Sequence, residues 1–204
     1  MKNNNKIFAC LASCLAIILP VPGRIVFGIF VLIHFILTVM LTTLLSHAIR
    51  QLKMESLRLG IIALEITGLT VLYQQFLNAV CPLAAFTLGF AIYLPSISAV
   101  ILTILSAQSF HSVKENLASK ILESLHVSAF CIVMFILRDI LGFGTVTLPV
   151  WKDIYVIKLP VFLKSVSFSS FFATVPGALI ITVLSLFVYL KFDEYSQNGG
   201  TEND

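Results

Sequence analysis

The sequence predicts an all-α integral membrane protein. Six transmembrane helices are expected, as a three-plus-three inverted repeat with interrupted first and fourth helices. Three observations carry this expectation. The 204 residues are 58% hydrophobic and 11% charged, against about a quarter charged in soluble domains. Mean hydropathy is +1.01, more apolar surface than one soluble core of this length can hide. The apolar residues fall into six runs, each near the length of about 20 that spans hydrocarbon.

The first run, about 6–21, is short and ends at Pro20 and Pro22. Lys2 and Lys6 before IFACLASCLAIILPVP imitate a secretory signal. The apolar runs continue at once, however, and no small-x-small site closes this one, so a membrane helix is expected. Pro22-Gly23 then marks a tight turn, and the second helix is expected over about 24–48. The polar, basic loop RQLKMESLR leads to a third helix, about 59–80. Cys81-Pro82 opens the fourth, about 82–107, with Pro95 inside it. After the polar segment QSFHSVKENLASK comes the fifth, about 121–141. A long connection, Gly142 to about Ser167, carries Trp151, Lys152, Lys158 and Lys164. The sixth helix is expected over about 168–192, and the polar tail 193–204 is expected to be disordered. Residues 1–192 form a single transmembrane domain in this layout. Each half has a proline-interrupted helix followed by two longer ones, so three helices per half places the halves in opposite orientations. That is the layout of inverted repeats, whose functional sites lie where broken helices meet near the midplane.

Charge sets the orientation. Lys2, Lys6, Arg50, Lys53, Arg58, Lys114, Lys120 and Lys191 fall on the side of the termini, and Arg24, Arg138, Lys152, Lys158 and Lys164 on the other. The positive-inside rule then puts both termini in the cytoplasm. A net charge of +3, scattered between apolar runs, gives no footprint for nucleic acid. The expected surroundings are lipid and other membrane subunits.

No nucleotide loop, paired-carboxylate site or His/Cys cluster with zinc spacing is present. Cys10, Cys14, Cys81 and Cys131 lie in or beside apolar runs and read as small buried hydrophobes rather than a disulfide framework. Cys10 and Cys14 share a helix face. Thiolates are good iron–sulfur ligands, but two on one helix do not specify a cluster. Ionisable residues within a span are costly and stand out. Glu65, in IIALEITGLT, reads either as an intramembrane ion or proton site or as a carboxyl held by a partner or facing the interface. His34, in VLIHFIL, reads as a buried histidine hydrogen-bonded to a neighbouring helix.

The stretch FILRDILGFGTVTLP sets Arg138 and Asp139 side by side at the end of the fifth run. Gly142 and Gly144 allow a helix stop there. Arg138 is expected to snorkel to the interface and to suit the negative end of the helix dipole. Asp139 suits that end less well and is expected to find a cationic partner. Together they read as a membrane-edge anchor and subunit contact.

Three stretches, IYLPSISAVILTILSAQSF, FILRDILGFGT and VPGALIITVLSLFVYL, occur in this order from Ile92 to the C-terminus. Their order and spacing resemble the RnfE/NqrD family, membrane subunits of Rnf complexes and of the sodium-pumping NADH:quinone reductase. In that family an I-F-I-P segment opens the helix core, I-R-E-I-L-G-x-G-T ends the fifth helix and P-G-A-F begins the last. The resemblance implies a bacterial inner-membrane subunit paired with a homologous subunit of opposite topology (RnfA/NqrE-like). It also implies a binuclear iron–sulfur cluster shared by the two, each giving two cysteines, with electron flow coupled to sodium or proton movement. Cys14 matches the first family cysteine as the implied iron–sulfur ligand, although the proline after it is replaced. Ile101 stands where the family has its second cysteine, and the following G-R-A-E-A-F-A run is altered to LSAQSFH. Cys81 lies 20 residues before Ile101, about 30 Å along a helix, so it does not substitute. Cys10 and Cys131 are the other thiols available. The alternative expectation is a redox-inactive scaffold or small transporter that retains the fold.

Overall fold

A computed structural model describes residues 13–105, 113–150, 153–158 and 169–198. They are mostly helical. Residues 13–18 are helical (α1), followed by a turn at Leu19–Pro20. Next come α2 (Ile25–Gln51), α3 (Arg58–Val80), α4 (Pro82–Leu88) and α5 (Leu94–Leu105). Then follow α6 (Val113–Phe143), a hairpin of β1 (Thr145–Val150) and β2 (Asp153–Lys158), α7 (Ser169–Ala173) and α8 (Val175–Asn198). Cys10 and residues 6–12 of the expected first helix lie outside the described residues, as do Trp151, Lys152 and Lys164.

Among the described residues, four helical stretches are long and apolar enough to cross a membrane, rather than six. They are Ile25–Gln51, Arg58–Val80, Pro82–Ala99 and Lys114–Phe143. A shorter apolar stretch, Val175–Ser185, opens α8. The two-fold repeat expected from the layout is not displayed by the described elements.

The fourth run is interrupted, but not by its proline. Pro95 sits in the first turn of α5, where a missing N–H costs nothing. The break lies earlier, in a 3-10 turn over Gly89–Tyr93. Gly89 there has φ +44°, a left-handed backbone that glycine adopts without strain. The last run is interrupted as well, at Thr174 between α7 and α8. Past this break, α8 continues to Asn198, through residues 193–198 that were expected to be disordered. The fifth helix begins at Val113, a full two turns before the expected start. Glu115 suits its first turn, and Lys120 Nζ pairs with Glu123 Oε2 at 3.0 Å one turn apart. The polar segment between the fourth and fifth spans is therefore partly helix.

The connection after α6 is not irregular throughout. TVTLPV pairs antiparallel with DIYVIK, from Thr145 opposite Lys158 to Val150 opposite Asp153. Its β-branched and aromatic alternation is the ordinary signal for strands. Gly144, at φ +62°, ends α6 and turns the chain into β1. Its N–H still reaches the Ile140 carbonyl at 3.0 Å.

The core is one apolar cluster of α1, α2, α3, α4, α5, α6 and α8 residues, including Ile17, Ile18, Phe35, Leu77, Leu88, Met134 and Phe135. α2 is the central element, packed on α3, α5 and α6. Gly28 lets α6 approach closely, because a Cβ there would overlap the Phe135 ring. Gly28→Ala is expected to lower stability by about 1–3 kcal/mol through overpacking. A fall in the thermal unfolding midpoint of the purified protein in detergent micelles would show it.

Candidate functional site

Two buried polar assemblies stand out. The first is centred on Arg138 and Asp139 near the end of α6. Arg138 is 1% exposed and Asp139 0%. Neither snorkels, and neither has an ionic partner among the described residues. Both lie inside the chain and bond to its own backbone and hydroxyl groups. Arg138 Nη1 donates to the Ile18 carbonyl at 2.7 Å and the Val21 carbonyl at 3.1 Å, while Nη2 donates to the Ala173 carbonyl at 3.1 Å. Ile18 and Ala173 end α1 and α7, where helices leave acceptors unpaired, and Val21 lies in the connection from α1 to α2. A cation there also meets the negative end of each peptide array. The guanidinium packs against Gly23, whose absent Cβ would stand 3.1 Å from Nε.

Asp139 does the reverse at the start of α2. That helix has no local cap: Arg24 makes no side-chain cap bond, and its first turn holds no acidic residue. Asp139 Oδ2 instead accepts the Ile25 N–H at 3.3 Å. The same oxygen accepts the Thr147 N–H at 2.9 Å and the Thr147 hydroxyl at 2.7 Å. Oδ1 accepts from Thr145 Oγ1 at 2.9 Å. Thr147 Oγ1 in turn receives the Val26 N–H at 3.4 Å. A carboxylate and a threonine from the hairpin thus cap α2 across the fold. The cationic partner expected for Asp139 is replaced by backbone N–H groups and hydroxyls.

The second assembly is a polar seam between α2 and α3. His34, Thr38, Thr42 and Ser46 recur every four residues, one face of α2 running about 18 Å. His34 is fully buried and bonds across helices, as its sequence context leads one to expect. Its Nε2 lies 3.2 Å from both Thr70 Oγ1 and Ser96 Oγ, which are 3.0 Å from each other. Thr70 is on α3 and Ser96 on α5, so three elements meet at this ring. The Thr70 hydroxyl donates onward to the Ile66 carbonyl at 2.7 Å. Nδ1 has no partner, which favours the tautomer with the proton on Nε2, since a bare lone pair costs less than a buried N–H without an acceptor. Tyr73 stacks on the imidazole at 4.7 Å between centroids and donates to the Phe30 carbonyl at 2.7 Å. Tyr73→Phe is expected to lower stability by about 1 kcal/mol, checked by the same thermal measurement.

Farther along the seam, Glu65 Oε2 accepts the Thr42 hydroxyl at 3.0 Å. Glu65 lies seven residues into α3, about 10 Å from its start. It therefore has the partner that sequence alone did not identify. The seam's threonines and Ser96 were also invisible beforehand. The four-residue spacing of His34, Thr38, Thr42 and Ser46 is the signal that could have found the α2 members.

Three of the four cysteines are described. Cys14, Cys81 and Cys131 are all buried within the apolar cluster. Among the described residues, no three His, Cys, Asp or Glu side chains are grouped as a metal site. The two thiolates that a shared iron–sulfur cluster requires from this chain are not supplied at the matched positions. Cys14 is one, and Ile101 in α5 has no donor atom. Among the described residues, only Cys14 stands at a matched ligand position.

No family model, no curated protein and no solved structure matches this chain.

Proposed function

We propose that the chain is a non-autonomous, multi-pass subunit of an ion-translocating oxidoreductase complex of the Rnf/Nqr type. In this proposal it sits in a bacterial inner membrane with both termini cytoplasmic, beside a homologous subunit of opposite topology. It takes part in electron transfer coupled to sodium or proton transport. One observation carries the proposal. The segment bearing the most specific resemblance, RDILGFGT, is also the one on which the fold turns: Arg138 and Asp139 join the ends of α1, α2 and α7. A motif under that many simultaneous constraints is a signature of architecture, which favours a shared fold.

The finer layout belongs to the same proposal. With α1 and α8 counted as spans, six helices form a three-plus-three inverted repeat. A reciprocal contact supports it: the Ser13 hydroxyl donates to the Ser98 carbonyl, and the Ser98 hydroxyl to the Ser13 carbonyl, each at 3.3 Å. Mutual bonding of equivalent groups is what a local two-fold axis produces. The contact joins α1 to α5, the helices that carry Cys14 and Ile101.

A specific observation favours a second reading. Ile101 in place of a ligand suits a redox-inactive scaffold or small transporter with the same fold. Purification of the full chain from its native membrane, followed by mass spectrometry and iron analysis, separates the two. Co-purification of a homologous six-helix subunit with flavin- and cluster-bearing subunits is expected. A chain that emerges alone sinks the complex. A complete complex lacking the iron of a binuclear cluster favours the scaffold.

A further inference from the structure

The hydroxyls of α2 divide into two groups. Thr38 and Thr43 turn back onto their own helix, donating to the His34 and Val39 carbonyls at 2.8 and 2.7 Å. That is the ordinary resting place for a hydroxyl in an apolar helix. Thr42 and Ser46 do not follow it. Thr42, 1% exposed, turns to Glu65. Ser46, 9% exposed and one turn farther along the same face, leaves its Oγ without any partner. Glu65 Oε1 is also enclosed and unpartnered. Two unsatisfied oxygens thus lie within a turn of Thr42, inside two candidate spans. Buried oxygens of this kind cost free energy unless something binds them.

We propose that Glu65, Thr42 and Ser46 form a binding site for a sodium ion. The ligands are a carboxylate and two hydroxyls, the hard oxygens that suit alkali and alkaline-earth cations. One carboxylate balances one positive charge, whereas a divalent ion would leave an excess charge inside the membrane, which is costly. A proton completes the site less well. It would neutralise the carboxylate, whereas a metal ion can also take a lone pair from Ser46 Oγ, which has no partner. A cation bound by Glu65 Oε1 and Ser46 Oγ would give a partner to both oxygens.

The inference deepens the function proposed above and rests on it for coupling to transport, whereas binding belongs to the chain itself. The test is equilibrium binding of radioactive sodium to the full chain in detergent micelles, with choline chloride holding ionic strength constant. One saturable sodium per chain is expected, lost in Glu65→Gln. Thr42→Val, which removes a ligand at constant shape, is expected to weaken it by about tenfold. Thr42→Ser keeps the hydroxyl and should bind like the parent, which excludes a folding defect at that position. No saturable binding, or binding indifferent to Glu65→Gln, overturns the site. Labelling of Glu65 by a hydrophobic carbodiimide that sodium does not suppress overturns it in favour of a protonated carboxyl. A chain that binds sodium but co-purifies with no partner would refute the complex and leave the site standing.

Discussion

Arg138→Ala is expected to destabilise the protein by about 3–5 kcal/mol. The loss comes from more than charge. Three carbonyls, those of Ile18, Val21 and Ala173, lose their donor together, inside the chain where an unpaired polar group is costly. Arg138→Lys keeps the charge but not the planar fork, and one ammonium does not span the ends of two helices. It should recover only part of the loss. Thermal unfolding in micelles reads both variants. If Arg138→Ala lies within about 1 kcal/mol of the parent, the guanidinium is not holding the helix ends.

Asp139→Ala is the second large effect, about 3 kcal/mol. Four hydrogen bonds are lost, and the Ile25 and Thr147 amides are left buried without acceptors. Asp139→Asn keeps one oxygen for those amides and gives up the charge facing the α2 N-terminus, so it should lose only about 1 kcal/mol. The pattern distinguishes capping from packing. Hydrogen exchange should accelerate in the first turn of α2 and in β1, with the distant C-terminal half of α3 unchanged. Uniform acceleration would contradict a local cap.

The helices were legible where apolar runs were long and bounded by polar loops. α2 and α3 fall within three residues of their expected limits. The break in the fourth run was not, because Pro95 drew attention and Gly89 made the turn. Proline in a first helical turn breaks nothing. The hairpin was hidden by its place in a long connection, although TVTLPV and DIYVIK alternate as strands do. Arg138 and Asp139 were found, but their burial and their partners were not. Sequence shows a charged pair near a helix end, and snorkelling is the simplest way to hydrate it. What it does not show is that three other helix ends converge there, with backbone groups that need those charges. Glu65 was also visible, while Thr42, Ser46, Thr70 and Ser96 became meaningful only when α2, α3 and α5 were set side by side.

The cross-chain caps have a consequence for synthesis. Ile18 and Val21 wait for a residue 120 and 117 positions later, and Ile25 for one 114 positions later. At about 5–20 residues per second, that interval is on the order of ten seconds. Throughout it, the end of the first helix and the start of the second are without their final partners. Water, lipid headgroups or an insertion factor would have to satisfy these groups until α6 arrives. A nascent chain stalled before Arg138 should therefore remain crosslinkable to the insertion machinery near Val21, and one stalled beyond Lys158 should be released.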